Sequence, residues 1–86
     1  MTKRRTTRGT LRYNETTDRF HLCAEHAVLP LHCGEGIALR FREEFTWGRM
    51  EVDGNGDWYV IFTLSDKSST KLTLRRNSTY EAMTYS

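Results

Sequence analysis

Five potential metal or redox ligands crowd into thirteen residues: His21, Cys23, His26, His32 and Cys33, in the pattern H-x-C-x2-H-x5-H-C. Structural zinc sites use two ligand pairs, each separated by about two to four residues, with thiolates dominating. Here the second pair is adjacent. Neighbouring strand residues point to opposite faces, so His32 and Cys33 could not both ligate from a strand. The plainer reading is a Cys33 packed as a small apolar group with histidines on a polar loop. No metal and no other cofactor is expected.

The run Asp53-Gly54-Asn55-Gly56-Asp57 begins like a calcium loop and then departs from it. Trp58 stands at the sixth position, where glycine is needed, and Leu64 at the twelfth, where a bidentate Glu belongs. It reads as a hairpin turn. Nucleophilic chemistry is equally scarce: there is no G-x-S-x-G elbow, and Glu43-Glu44 has the look of a solvated turn. Sequence order alone leaves a Cys33–His26 or Cys33–His21 pair open. No catalytic residue is assigned, and a non-enzymatic protein is expected.

Basic side chains give a stronger lead. Arg12, Arg19, His21, Arg40, Arg42, Lys71 and Arg75 fall on outward positions of the strands assigned below, and Arg76 extends them. Phosphate recognition needs a fixed cationic surface and mobile cations that release counterions. The candidate nucleic-acid-binding residues are therefore Lys3, Arg4, Arg5, Arg8, Arg12, Arg19, Arg40, Arg42, Lys71 and Arg75. Outward charge is also what any soluble sheet displays, and Glu51 and Asp53 neutralise part of it.

Phe45 and Trp47 share strand parity with Arg49, Glu51 and Asp53, which points them outward unless Gly48 marks a bulge. A bulge with Trp47 in the core is the commoner outcome. Otherwise both rings are exposed anchors for a stacked base or a protein partner. In the protein-binding alternative the contact set is Glu43, Glu44, Phe45, Trp47, Glu51 and Asp53.

The elements that must position these residues are short strands. Residues 10–13 and 19–23 alternate around a turn at 14–18, directing Leu11, Tyr13, Phe20 and Leu22 inward. Residues 24–35 form an irregular connection holding Pro30. A strand over 36–42 puts Ile37, Leu39 and Phe41 on one face, and one over 46–53 carries Met50 and Val52 inward. Residues 58–64 are apolar on both faces and suit a central strand. After a turn at 65–69, residues 70–76 alternate Leu72 and Leu74 against Lys71, Thr73 and Arg75. The last ten residues offer a ragged helical turn at 80–83. Five or six short strands suggest an all-β, SH3-like barrel, with an OB-like barrel as second choice.

Eighty-six residues support one domain without the large cleft of a typical metabolic enzyme. The longest apolar run is far short of the ~20 residues a membrane helix needs, and the charged start does not resemble a secretory signal. Free thiols at Cys23 and Cys33, and a cytoplasmic setting, are therefore expected. The net charge of +2 conceals an asymmetry. Residues 1–8 hold four cations and no acid, while the stretch 43–66 holds six acids and only Arg49. The expected organisation is a flexible basic arm (1–8), a barrel (9–76) and a C-terminal tail (77–86).

Four fragments occur in a familiar order: Gly9-Thr10-Leu11-x-Tyr13-Asn14, Asp18-Arg19-Phe20-x-Leu22, Pro30-Leu31-His32-Cys33-Gly34-Glu35 and Gly56-Asp57-Trp58-Tyr59-Val60. They resemble a family of short, functionally uncharacterised proteins from Gram-positive bacteria, their phages and mobile elements. The resemblance covers roughly residues 9–64 and implies a compact cytosolic β domain without implying an activity. The combined expectation is a phage or mobile-element accessory protein that contacts nucleic acid or a nucleoprotein complex. The alternative is an anti-CRISPR-like inhibitor of a host defence nuclease, acting through its acidic 43–66 region. Neither reading involves a membrane or a small-molecule substrate.

Overall fold

In the computed structural model, which describes residues 5–63 and 66–85, period-two alternation and turn chemistry set the strand limits. The strands are β1 (Thr6–Asn14), β2 (Arg19–Cys23), β3 (Val28–Pro30), β4 (Gly36–Phe41), β5 (Glu44–Val52), β6 (Trp58–Thr63), β7 (Ser69–Thr73) and β8 (Tyr80–Tyr85). All ladders are antiparallel and form one sheet in the order β3-β2-β1-β8-β4-β5-β6-β7. The class is all-β, as expected. The ladders give eight strands in place of five or six, and the sheet is not closed: no ladder joins β3 to β7 among the described residues.

Side-chain oxygens shape the turns. Asn14 Oδ1 accepts the amides of Thr16 and Thr17 beyond β1. Asp53 Oδ1 accepts those of Asn55 and Asp57 between β5 and β6. Asn14 and Asp53 thereby mimic the backbone turns they start.

The sheet coils so that its two ends approach over a common core. Leu11, Phe20, Leu22, Leu31, Ile37, Leu39, Met50, Trp58, Val60, Phe62, Leu74 and Ala82 fill the concave side. Trp58 Nε1–H donates to the Asp18 carbonyl at 3.3 Å, tying the β1–β2 turn to β6. The Leu74 amide donates to the Trp58 carbonyl at 2.8 Å.

Coiling this tight requires a bent strand. The first half of β5 pairs with β4 and the second half with β6, the two registers overlapping at Arg49. Gly48 sits at the change of partner. A Cβ there would lie 2.6 Å from the Ile61 carbonyl oxygen and 2.7 Å from Val60 Cγ1. Gly9 has the same role in β1, where a Cβ would collide with the Cys23 carbonyl.

Three expectations are corrected. Residues 80–83 form part of strand β8, which lies between β1 and β4 in the middle of the sheet. The segment expected as a ragged helical turn is thus held by ladders on both sides. Strand β6, expected to be central, is second from the β7 edge. Gly48 makes a close approach that leaves side-chain parity intact, so Trp47 stays outside the core.

The Gly48 contact yields a stability prediction. Gly48→Ala must displace backbone, and overpacking of this kind costs about 2–3 kcal/mol. For a domain of this size that corresponds to a fall in Tm of roughly 10–20 °C by thermal unfolding. An unchanged Tm would show that the β5–β6 approach is not rigid.

Candidate surface on the convex face

Antiparallel registers place directly opposed residues on one face of the sheet. Leu11, Ile37, Met50 and Val60 define the concave face, so the alternate residues form the convex one. Its strand positions carry six cations, Arg8, Arg12, Arg19, Arg40, Arg49 and Lys71, and two acids, Glu51 and Glu81. Each acid is matched by a neighbour: Arg40 pairs with Glu81 at 2.5 Å and Arg49 with Glu51 at 3.1 Å. Exposed pairs like these contribute about 0–1 kcal/mol and chiefly cancel local charge.

The unmatched cations have different company. The Arg8 guanidinium lies 4.8 Å from the Phe45 ring centre, and Lys71 Nζ lies 4.4 Å from that of Tyr59. Such contacts are worth about 0.5–1 kcal/mol at exposed sites. Their larger effect here is to restrict where a long side chain can place its charge. Arg19 meets the His32 ring, and Arg12 is exposed opposite His21.

Between Arg8 and Lys71 lies a stacked aromatic pair. The Trp47 and Tyr85 rings are 4.5 Å apart and within 11° of parallel. Ala38 stands opposite both Trp47 and Met83 and is completely buried although it faces outward. Its small side chain lets large neighbours cover the sheet at this point. Trp47 is half-buried and Tyr85 is 45% exposed.

Not every residue expected at the surface joins this strip. Lys3 and Arg4 lie outside the described residues, and Arg5 is exposed just before β1. Arg42 occupies the β4–β5 turn with a positive φ of 57°, beside Glu43 and Glu44. Arg75 follows the end of β7 and, with Arg76, lines a separate cavity of about 410 Å³ at the seam of the coiled sheet. There Arg76 stacks on Tyr13, with 5.1 Å between guanidinium and ring, and donates to the Gly56 carbonyl. Sequence reasoning missed Tyr85 and Met83. The alternation in Tyr80-Glu81-Ala82-Met83-Thr84-Tyr85 was the available signal.

The acids of the 43–66 stretch do not form a comparable surface set. Glu43 and Glu44 sit at the β4–β5 turn, and Glu51 is matched to Arg49. Asp53 closes its own turn, while Asp66 accepts the Ser68 amide and hydroxyl. The potential ligands of the His/Cys cluster are dispersed. His21 contacts Thr17 Oγ1, His26 lies by Glu25, and Cys33 Sγ is 3.8 Å from Glu51 Oε2. Among the described residues, no three His, Cys, Asp or Glu side chains converge on a point. Cys23 and Cys33 are free thiols. No helix among the described residues is long and apolar enough to cross a membrane.

Hydrogen bonding to the turn, first from the Asp57 amide, holds the Asp53 carboxyl below its ordinary pKa of 3.8. A carboxyl lowered in the folded state stabilises it above the unfolded pKa and loses that contribution as pH falls through the folded value. The Tm advantage of the wild type over Asp53→Asn is therefore full above about pH 4 and shrinks below it. Thermal melts of both proteins between pH 7 and pH 2.5 check this. A difference independent of pH would remove the carboxylate from the account of the turn.

No match is found among curated proteins or among solved structures. Comparison with known families matches residues 9–82, from the bend of β1 to the middle of β8, with the domain of unknown function DUF5348. The chain belongs to that family.

Proposed function

We propose that this protein is a non-enzymatic binding module whose convex face contacts nucleic acid, alone or within a nucleoprotein complex. The observation that carries this reading is the charge placement on that face. Six cations oppose two acids, both acids are matched by arginines, and Arg8 and Lys71 are held on aromatic rings. Cations with fixed positions suit phosphate contacts, because less side-chain freedom is lost when the ligand arrives. The basic residues Lys3, Arg4 and Arg5 add charge next to Arg8. An accessory role in a phage or mobile element, exercised in the cytoplasm, is part of the same proposal. It is supported by the resemblance carried by residues 30–35 and 56–60.

The test is fluorescence anisotropy with labelled DNA and RNA oligonucleotides between 50 and 200 mM salt. Four unmatched cations predict a slope of log affinity against log salt of about −3. Replacing Arg8 and Lys71 together by Gln should flatten that slope by about 1.5 and weaken binding to all sequences alike. Deleting residues 1–5, which precede β1 and leave it intact, measures the contribution of Lys3, Arg4 and Arg5 separately. Absence of binding to every probe at 50 mM salt would overturn the proposal, as would a slope unchanged in the double variant.

A further inference from the structure

We infer that the nucleic acid recognised by the convex face is single-stranded, with an unpaired base stacked at the Trp47–Tyr85 pair and flanking phosphates at Arg8 and Lys71. This deepens the proposed function and rests on it.

Placement along β5 supplies the first support. Arg8 starts on β1 but sets its guanidinium on Phe45 of β5, and Trp47 follows two residues on with Tyr85 of β8 stacked on it. Lys71 of β7 sits over Tyr59, which stands opposite Glu51 of β5, so the aromatic pair lies between the two held cations. At ~3.4 Å per residue, Trp47 lies roughly 7 Å along β5 from Phe45 and roughly 14 Å from Glu51, the position opposite Tyr59. A strand of nucleic acid running along the outside of β5 meets a cation, an aromatic platform and a second cation in that order.

Shape supplies the second. The major groove, about 12 Å wide, admits a helix or a two-stranded ribbon. The cationic positions are spread from β2 to β7 around the outside of a body whose extents are 36, 31 and 26 Å, and such a surface is too broad to enter. A duplex also hides its base faces inside its own stack. An unpaired base presents its π-face to any flat ring, and such stacking is tolerant of sequence.

The third support is that the aromatics of this face divide in function. Phe45 and Tyr59 each carry a cation over the ring, whereas Trp47 and Tyr85 stack on each other. They lie on a sheet surface where Ala38 is fully buried, and Tyr85 remains 45% exposed. Phe45 and Tyr59 therefore fix charges, and the Trp47–Tyr85 pair offers the platform on which a base extends the stack.

Single-stranded 12-mers of thymidine and of uridine, and a blunt 12-base-pair DNA duplex, serve as probes at 50 mM salt. Anisotropy should show the single strands binding at least 10-fold tighter than the duplex. They should also quench tryptophan emission in the wild type. Trp47→Phe keeps the stack and should retain most of the affinity while losing the quench, because Trp58 is buried in the core. Trp47→Leu should weaken single-strand binding by about 10-fold. Tyr85→Leu, at a more exposed position, gives the same readout if Trp47→Leu does not fold. Duplex binding as tight as single-strand binding overturns this inference, and so does an unquenched wild type; both leave the phosphate-binding proposal standing. Failure of all three probes to bind overturns both.

Discussion

Between Trp47 and Arg49 the backbone of β5 comes so close to β6 that only hydrogen fits at the Cα of Gly48. That contact lets β5 leave β4 and join β6 within a single strand. Because the two registers meet at Arg49 without an inserted residue, the alternation of faces runs through the bend unbroken. Met50 stays on the concave side, and Phe45, Trp47, Arg49 and Glu51 all stay on the convex side. A bulge at the same position would have split this set and carried Trp47 inward. The enclosed core and the outward strip are thus two consequences of one backbone approach, repeated at Gly9 on the other side of the sheet.

Coiling brings the ends of the sheet together without a closing ladder. Side chains and isolated backbone bonds make the seam instead: the Trp58 indole on Asp18, the Leu74 amide on Trp58, and Arg76 on Tyr13 and Gly56. An open sheet has edges that invite pairing with other chains. Here β3 is three residues long and ends in Pro30, and β7 places Lys71 midway along its length. Both are familiar ways of discouraging edge pairing. The broad convex face can therefore stay available to a ligand without requiring the sheet to close.

The local parts of this fold were legible in the sequence. Alternation in residues 10–13 and 19–23 located the β1–β2 hairpin, with Leu11, Phe20 and Leu22 buried and Tyr13 packed against them. The departures from a calcium loop at Trp58 and Leu64 correctly marked 53–57 as a turn. Strand β8 left only a weak trace, the alternation from Tyr80 to Tyr85, because its hold on the structure is non-local. Its six residues include one small apolar core residue, Ala82, and its stability comes from ladders to β1 and β4 far away in sequence. Missing β8 meant missing Tyr85, so parity alone argued for an outward Trp47 and the ring it stacks on was not foreseen. At the surface, Arg12, Arg19, Arg40 and Lys71 follow strand parity onto one face, and Arg8, read from the sequence as part of the arm, joins them from β1. Arg42 and Arg75 depart from it because their strands end one and two residues earlier, at Phe41 and Thr73.

The same distinction between strands and turns explains the charge pattern. An acid in a turn has local work, since its oxygens accept backbone amides that the turn would otherwise leave without partners. Asp53 and Asp66 are used in this way, and a hydrogen bond from the Tyr13 phenol engages Asp18. The acidity of residues 43–66 is thus largely a record of how many turns that stretch contains. A cation at an outward strand position meets no such backbone demand. Among the described residues, Arg8, Arg12 and Lys71 satisfy no turn and match no acid, and two of the three are set on aromatic rings that limit their motion. Asp53 and Asp66 serve their turns, whereas Arg8 and Lys71 are set on aromatic rings at the convex surface. A net charge near neutrality carries no information about that difference, because it adds groups that serve the turns to groups that lie on the open convex surface.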